Sequence, residues 1–355
     1  MCVLDTGVNR GHPLLEHALA PADLHAVDPG WGTNDHEGHG TEMAGLALLG
    51  ELGAAFATVG PVRVRHRLES VKLVPPVGQN DPQLYGAITA EAVARAEVQA
   101  PTRRRAFSMS ITAGDGRERG QPTSWSAAID ALAAGRSFEP STRGLTYLET
   151  AGEVPHRLFL VSAGNVDSTD LDHIARSDVE AIQDPAQAWN ALTVGACTDL
   201  VYIDENDPGL HGWAPVARAG DLSPYSATSV PFATSWPLKP DVVFEGGNKG
   251  SDGHHAFQVD SLSLVTTNFE PQKALLRPTW ATSAATAQVA RFAADLAAEY
   301  PTCGRKPSVP SSPTPRSGPS GCSGEDLGPR VDVNVSDSFS AASASAFRAW
   351  SVRGT

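Results

Sequence analysis

The chain has 355 residues, 41% of them hydrophobic, with 33 glycines and 27 prolines, a composition that supports a sizeable buried core. A formal charge of −13 excludes nucleic acid as the main partner, because phosphate binding needs clustered lysine and arginine. No apolar run approaches bilayer-spanning length, so no membrane partner is expected, and four scattered cysteines are too few for a disulfide framework or a zinc site and point to a reducing, cytoplasmic compartment.

The first residues, Met1-Cys-Val-Leu-Asp-Thr-Gly7, read as a buried strand running into a turn, not as a signal peptide. So abrupt a start implies a fragment that begins inside a domain, or a misassigned start codon; either would leave secretion open. The strand delivers Asp5 to the C-terminal edge of a parallel sheet, where ligands of open α/β sheets gather. An isolated Asp-Thr-Gly is equally read as an Asx turn, and the aspartic-protease reading fails because there is no second copy.

His39 follows, set between Gly38 and Gly40 and ahead of Met43, Leu46, Ala47 and Leu49 at helical spacing, which places it at a loop-to-helix junction. His36 and His39 lie three apart with a glycine between, unlike the histidines four apart on a helix that zinc peptidases need, so no metal is expected. The run Arg103-Arg104-Arg105 reads as capping or solvating a loop before a strand.

Strands are expected at 71–74, 106–112, 158–161, 191–196 and 239–244, with helices at 86–100 and 124–134 between them, and the alternation argues for a parallel sheet covered on both faces. Asn165 stands just past the third of these strands, on the same edge as Asp5. It reads either as a turn residue or, through its side-chain NH2, as a donor to a developing oxyanion. The pair His254-His255 in the loop 246–255 reads as solvated.

The last periodic stretch runs from Trp280 to Tyr300, with Val289, Phe292, Ala293, Leu296 and Tyr300 on one helical face and Thr282 or Ser283 as expected cap. A serine at a helix N-terminus is an ordinary cap; it is also where an oxygen nucleophile and an oxyanion are favoured. Beyond Pro301 the composition turns to Ser, Pro and Gly. Residues 303–355 are expected to be a disordered tail, or else the product of a frame shift near Thr302 that replaced a further amphipathic helix.

Together these strings resemble the subtilisin-like serine proteases over residues 1 to about 302, expected to form one domain. Val3-Leu-Asp-Thr-Gly-Val8 is similar to the family's aspartate motif, His39-Gly-Thr-Glu-Met-Ala-Gly45 to the histidine motif, Ser162-Ala-Gly-Asn165 to the oxyanion motif, and Ala281-Thr-Ser-Ala-Ala-Thr-Ala-Gln-Val-Ala290 to the serine motif. The order Asp, His, Asn, Ser is the family's. The resemblance implies a three-layer α/β fold with a mostly parallel, doubly wound sheet. It also implies a serine endopeptidase acting on polypeptides, with Asp5, His39 and Ser283 as triad, Asn165 in the oxyanion hole, and Ser108, Ser110 and Ile111 pairing with substrate. No cofactor is implied for the chemistry, and calcium sites are not legible.

Three positions depart from the pattern: Ala281 stands where the family has glycine, Ala287 where proline is common, and Glu42 where a neutral residue or histidine is usual. Residues 113–157 read as a longer connection than the family minimum. An inactive peptide-binding module and a hydrolase of other esters or amides are the competing readings.

Overall fold

The computed structural model describes residues 1–57, 62–113, 119–141, 144–148 and 156–300; the tail at 303–355 lies outside these. In chain order the first half contains β1 (Cys2–Asp5), β2 (Leu19–Ala26), α1 (His39–Leu49), α2 (Leu52–Ala57), β3 (Leu68–Lys72), α3 (Tyr85–Gln99), β4 (Ala106–Met109) and α4 (Ser124–Ala133). A hairpin, β5 (Ser137–Ser141) with β6 (Gly144–Leu148), precedes β7 (Leu158–Ser162), α5 (His173–Ser177) and β8 (Leu192–Thr198). The short strands β9 (Ala214–Pro215) and β10 (Asp221–Leu222) lead to β11 (Val242–Glu245), β12 (Lys249–Ser251) and β13 (Ala256–Gln258). The antiparallel pair β14 (Leu264–Thr267) and β15 (Leu276–Thr279) then feeds α6 (Ala281–Glu299).

The central sheet runs β10-β8-β7-β4-β1-β3-β2, with β11 also paired to β8; every pairing in it is parallel except that of β10. Strand alternation splits the apolar side chains between two cores. Cys2, Leu4, Phe107, Met109, Phe159 and Val161 face α3 and α4, whereas Val3, Leu160, Val194 and Ala196 face α1 and α6. Each such side chain, withdrawn from water, contributes about 1.5–3 kcal/mol. Burial on both faces is why these strands read as continuous apolar runs, and it yields the expected mostly parallel sheet with helices on both sides.

Within the arginine run, expected to cap or solvate a loop, Arg105 caps the end of α3, its Nη2 donating to Ala96 O and Ala100 O at 2.6 and 2.8 Å, and ion pairs that no local pattern marks are added to this. Arg105 bonds Glu69 through Nε and Nη2 at 2.6 and 2.8 Å, and Arg103 joins Glu69 at 2.6 Å and Asp23 at 2.8 Å. Neighbouring strands bury these two carboxylates side by side, and the guanidinium groups supply the countercharge that position demands. At the end of α6, Phe292, Leu296 and Tyr300 are about two-fifths exposed, so the expected core face is buried only through Ala290.

Candidate active site

β1 ends at Asp5, and the chain leaves it through Thr6 and Gly7. The first turn of α1 presses against that exit: a Cβ added to Gly40 would stand 2.1 Å from the Gly7 carbonyl oxygen, so glycine alone permits the approach. The approach brings His39 Nδ1 to 2.7 Å from Asp5 Oδ1. A carboxylate can only accept there, which puts a proton on Nδ1, so that in the neutral ring Nε2 carries the free lone pair. Asp5 is buried; its Oδ1 also accepts from Thr6 N–H at 2.8 Å, and its buried Oδ2 has no partner among the described residues.

Burial by itself pushes the His39 imidazole down. The charge and hydrogen bond of Asp5, with the charges of Glu42 and Asp35, outweigh it and raise the ring to about 9. A second carboxylate holds the helix start in place. Asp35 Oδ1 accepts from Thr6 Oγ1, Glu37 N–H and Gly38 N–H at 3.0, 3.0 and 2.8 Å, and Oδ2 accepts from Thr41 N–H and Thr41 Oγ1 at 2.8 and 2.7 Å.

Ser283 lies in the first turn of α6, where the backbone N–H groups have no intrahelical acceptor. It is not the cap that its position in the sequence suggests. The helix starts at Ala281 behind Trp280, with no side-chain cap, and the groups that would need one are met from afar: Ala281 N–H donates to Gly246 O at 2.6 Å and Thr282 N–H to Asn165 Oδ1 at 3.1 Å. Ser283 Oγ donates to Ser110 O at 3.1 Å, and Ser110 Oγ returns a bond to Ser283 O at 3.3 Å. Ala281 holds φ +75°, the left-handed region that a glycine fills without strain.

Since Thr282 N–H can only donate, the side-chain atom of Asn165 facing it is the oxygen, which also accepts from Thr282 Oγ1 at 2.6 Å. The NH2 of Asn165 therefore points the other way. Of the three residues expected to meet substrate, Ser108 lies inside β4, its side chain buried and its backbone laddered to both β1 and β7. Ser110 and Ile111 stand past the end of that strand. Leu4 pairs with Met109, so Asp5 and Ser110 are next along neighbouring strands.

Some contributing residues carry no motif. Asp35 caps α1 from a loop; an Asp a few residues ahead of a Gly-flanked helix start is the signal that would have found it. Gln183 spans from Thr112, whose Oγ1 donates to Gln183 Oε1 at 2.6 Å, to Asn165, whose carbonyl accepts from Gln183 Nε2 at 3.3 Å. No sequence pattern marks it. Among the described residues no cluster of His, Cys, Asp or Glu could hold a metal ion, and no helix is long and apolar enough to cross a membrane.

A model of the subtilase family matches residues 1–310. The chain belongs to the subtilase family. Its mostly parallel sheet between helical layers is the subtilase architecture, and membership in this serine-protease family makes polypeptide its substrate class. Among solved structures it is similar to Sphericase, at 19% identity and TM-score 0.51 over 85% of this chain and 78% of that one. It is also similar to the S41 Psychrophilic Protease, at 20% identity and TM-score 0.49 over 85% and 77%. None of the curated proteins matches this subtilase.

Proposed function

We propose that this subtilase is a serine endopeptidase in which Ser283 is the nucleophile, His39 the general base and Asp5 its orienting acid. One observation carries the reading. Three adjacent parallel strands, β1, β4 and β7, release Asp5, Ser110 and Asn165 at one sheet edge, where His39 at the start of α1 bonds the first of them and the opening turn of α6 bonds the other two. α1 and α6 pack side by side on the same face of the sheet.

In the proposed reaction Ser283 Oγ bonds the scissile carbonyl carbon as its proton passes to His39 Nε2. The C–N bond then breaks as that proton passes to the leaving amine, and water repeats the sequence to free the acid. Asp5 keeps Nδ1 protonated and stabilises the imidazolium, its unpartnered Oδ2 adding to the local negative field. The Asn165 NH2 and the Ser283 N–H donate to the oxyanion. Ser110 and Ile111, beyond the ladder of β4, offer backbone to an extended substrate. The Ser283 hydroxyl donates to Ser110 O, and the proposed reaction has it turn about its Cα–Cβ bond toward His39.

That same resting bond favours a second reading, a peptide-binding module without turnover, in which the hydroxyl stays on Ser110. A serine-directed phosphonate, followed by mass spectrometry, separates the two. The peptidase reading expects label on Ser283 of the folded protein, none on Ser283→Ala, and cleavage of an unfolded protein substrate. A folded wild type that takes no label overturns it, and ester turnover without protein cleavage redirects it to non-peptide substrates.

A further inference from the structure

Glu42 lies three residues after His39 on α1, one turn along the same side of the helix, and it is largely buried. Its carboxylate is directed onto β15, the strand that leads into α6. Thr279 Oγ1 donates to Oε2 at 2.9 Å, and Arg277 Nη1 stands 3.0 Å from Oε1. Oε2 thus accepts a hydrogen bond and Oε1 faces a guanidinium. Burial pushes Glu42 up, and Arg277 and Thr279 oppose it.

We propose that Glu42 and Arg277 form a positioning pair of opposite charge beside His39, which ties the base helix to the strand that delivers Ser283 and acts on the imidazole through its field. This rests on the reading of His39 as general base.

The tie is visible on both sides. Thr266 Oγ1 donates to Glu42 O at 2.8 Å and Thr267 Oγ1 to Thr41 O at 2.7 Å, so β14 and β15 together grip the first turns of α1. Thr279 is four residues before Ser283, and Glu42 is three after His39. The charged groups around the imidazole come from every element packed on it. Asp5 from β1 touches it; Asp35, from the loop before α1, is occupied by five donors; Glu42 comes from α1 itself. Arg277 comes from β15, its Nη1 3.0 Å from where a Cβ on Gly38 would stand. Asp5 acts through a direct bond. Glu42 and Arg277 act at longer range and with opposite sign, so removing either leaves the Asp5 bond itself in place while it breaks the tie and changes the field.

A purely structural tie would damage the site the same way from either end. A charge pair shifts the base in opposite directions. The test titrates the His39 imidazole by NMR in the Ser283→Ala protein, alone and with Glu42→Gln, Arg277→Gln or both; none of these measurements needs turnover. The expected result is a lower His39 pKa in Glu42→Gln, a higher one in Arg277→Gln, each by about half a unit, and a near-parental value in the double variant. In the protein that keeps Ser283, the acid limb of kcat/KM moves by the same amounts, while KM changes less than about twofold. Shifts in the same direction, or none, overturn the pair. If Glu42→Gln shows no cooperative thermal transition, Arg277→Gln and the double variant decide by the same criterion. NMR shifts in a protein without turnover would sink the peptidase reading and leave the pair standing; turnover without the shifts would do the reverse.

Discussion

Replacing Asp35 with asparagine exchanges one oxygen for an NH2 at the point where α1 begins. The side-chain oxygen kept by asparagine remains with the three donors on the Oδ1 side, Thr6 Oγ1, Glu37 N–H and Gly38 N–H. The new NH2 then faces Thr41 N–H and Thr41 Oγ1, which bond Oδ2 at 2.8 and 2.7 Å in the parent. The hydroxyl can turn over and accept; the backbone N–H cannot. The variant therefore loses one charge-assisted bond and buries an unpaired donor, together about 2–4 kcal/mol. For a domain of this size that lowers Tm by about 3–6 °C. His39 is the first residue of the helix so capped, so kcat/KM should fall at least about tenfold with KM little changed, the sign of a misplaced catalytic group. Calorimetry and steady-state kinetics with a peptide ester read both effects, and His36→Gln, exposed one residue away, is the control expected to change neither. An Asp35→Asn protein that melts within about 1 °C of the parent with unchanged kcat/KM would refute the assignment of Asp35 as the cap of α1.

The pH profile follows from the raised His39, whose neutral form is the base. Below its pKa of about 9 the group is protonated, so kcat/KM should climb toward alkaline pH and stand near one hundredth of its plateau at about pH 7; a profile flat from about pH 7.5 would contradict the Asp5 and Glu42 field. Asn165→Leu keeps the side-chain bulk and removes both the donor and the acceptor for Thr282, with an expected loss in kcat of about a hundred- to a thousandfold at similar KM; a loss under about fivefold would exclude Asn165 from the oxyanion hole. For Ala281→Gly, relief of about 1–2 kcal/mol of left-handed strain is offset by about 0.4–1 kcal/mol of chain entropy and about 0.8 kcal/mol of buried methyl. Chemical denaturation should place the variant within about 1 kcal/mol of the parent, whereas Ala281→Val, branched at a positive φ, should lose clearly more.

Asp5, His39, Asn165 and Ser283 are legible in the chain because each sits among small residues that a tight backbone requires. Gly40 against the Gly7 carbonyl is the physical content of one such string. The sheet is legible for a related reason: strands buried on both faces read as unbroken apolar runs. Other features depend on partners remote in sequence. Ser283 reads as a cap because nothing local shows that Asn165 and Gly246 already satisfy the start of α6. Glu42 reads as a substitution in a motif, and only the fold brings Arg277 and Thr279 to it. The arginine run reads as no more than a loop cap or a solvated loop because a local window does not show two carboxylates buried on neighbouring strands.

The place of β1 bears on how the protein comes into being during synthesis. It is an inner strand whose partners, β3 and β4, lie later in the chain and so emerge from the ribosome after it. Asp5 and His39 come early; the helix bearing Ser283 is the last element described. A nascent chain thus carries the proposed base before its proposed nucleophile, and the two are brought together only when α6 docks beside α1. On the proposed reading, the order of the elements withholds the nucleophile until the rest of the site has been made.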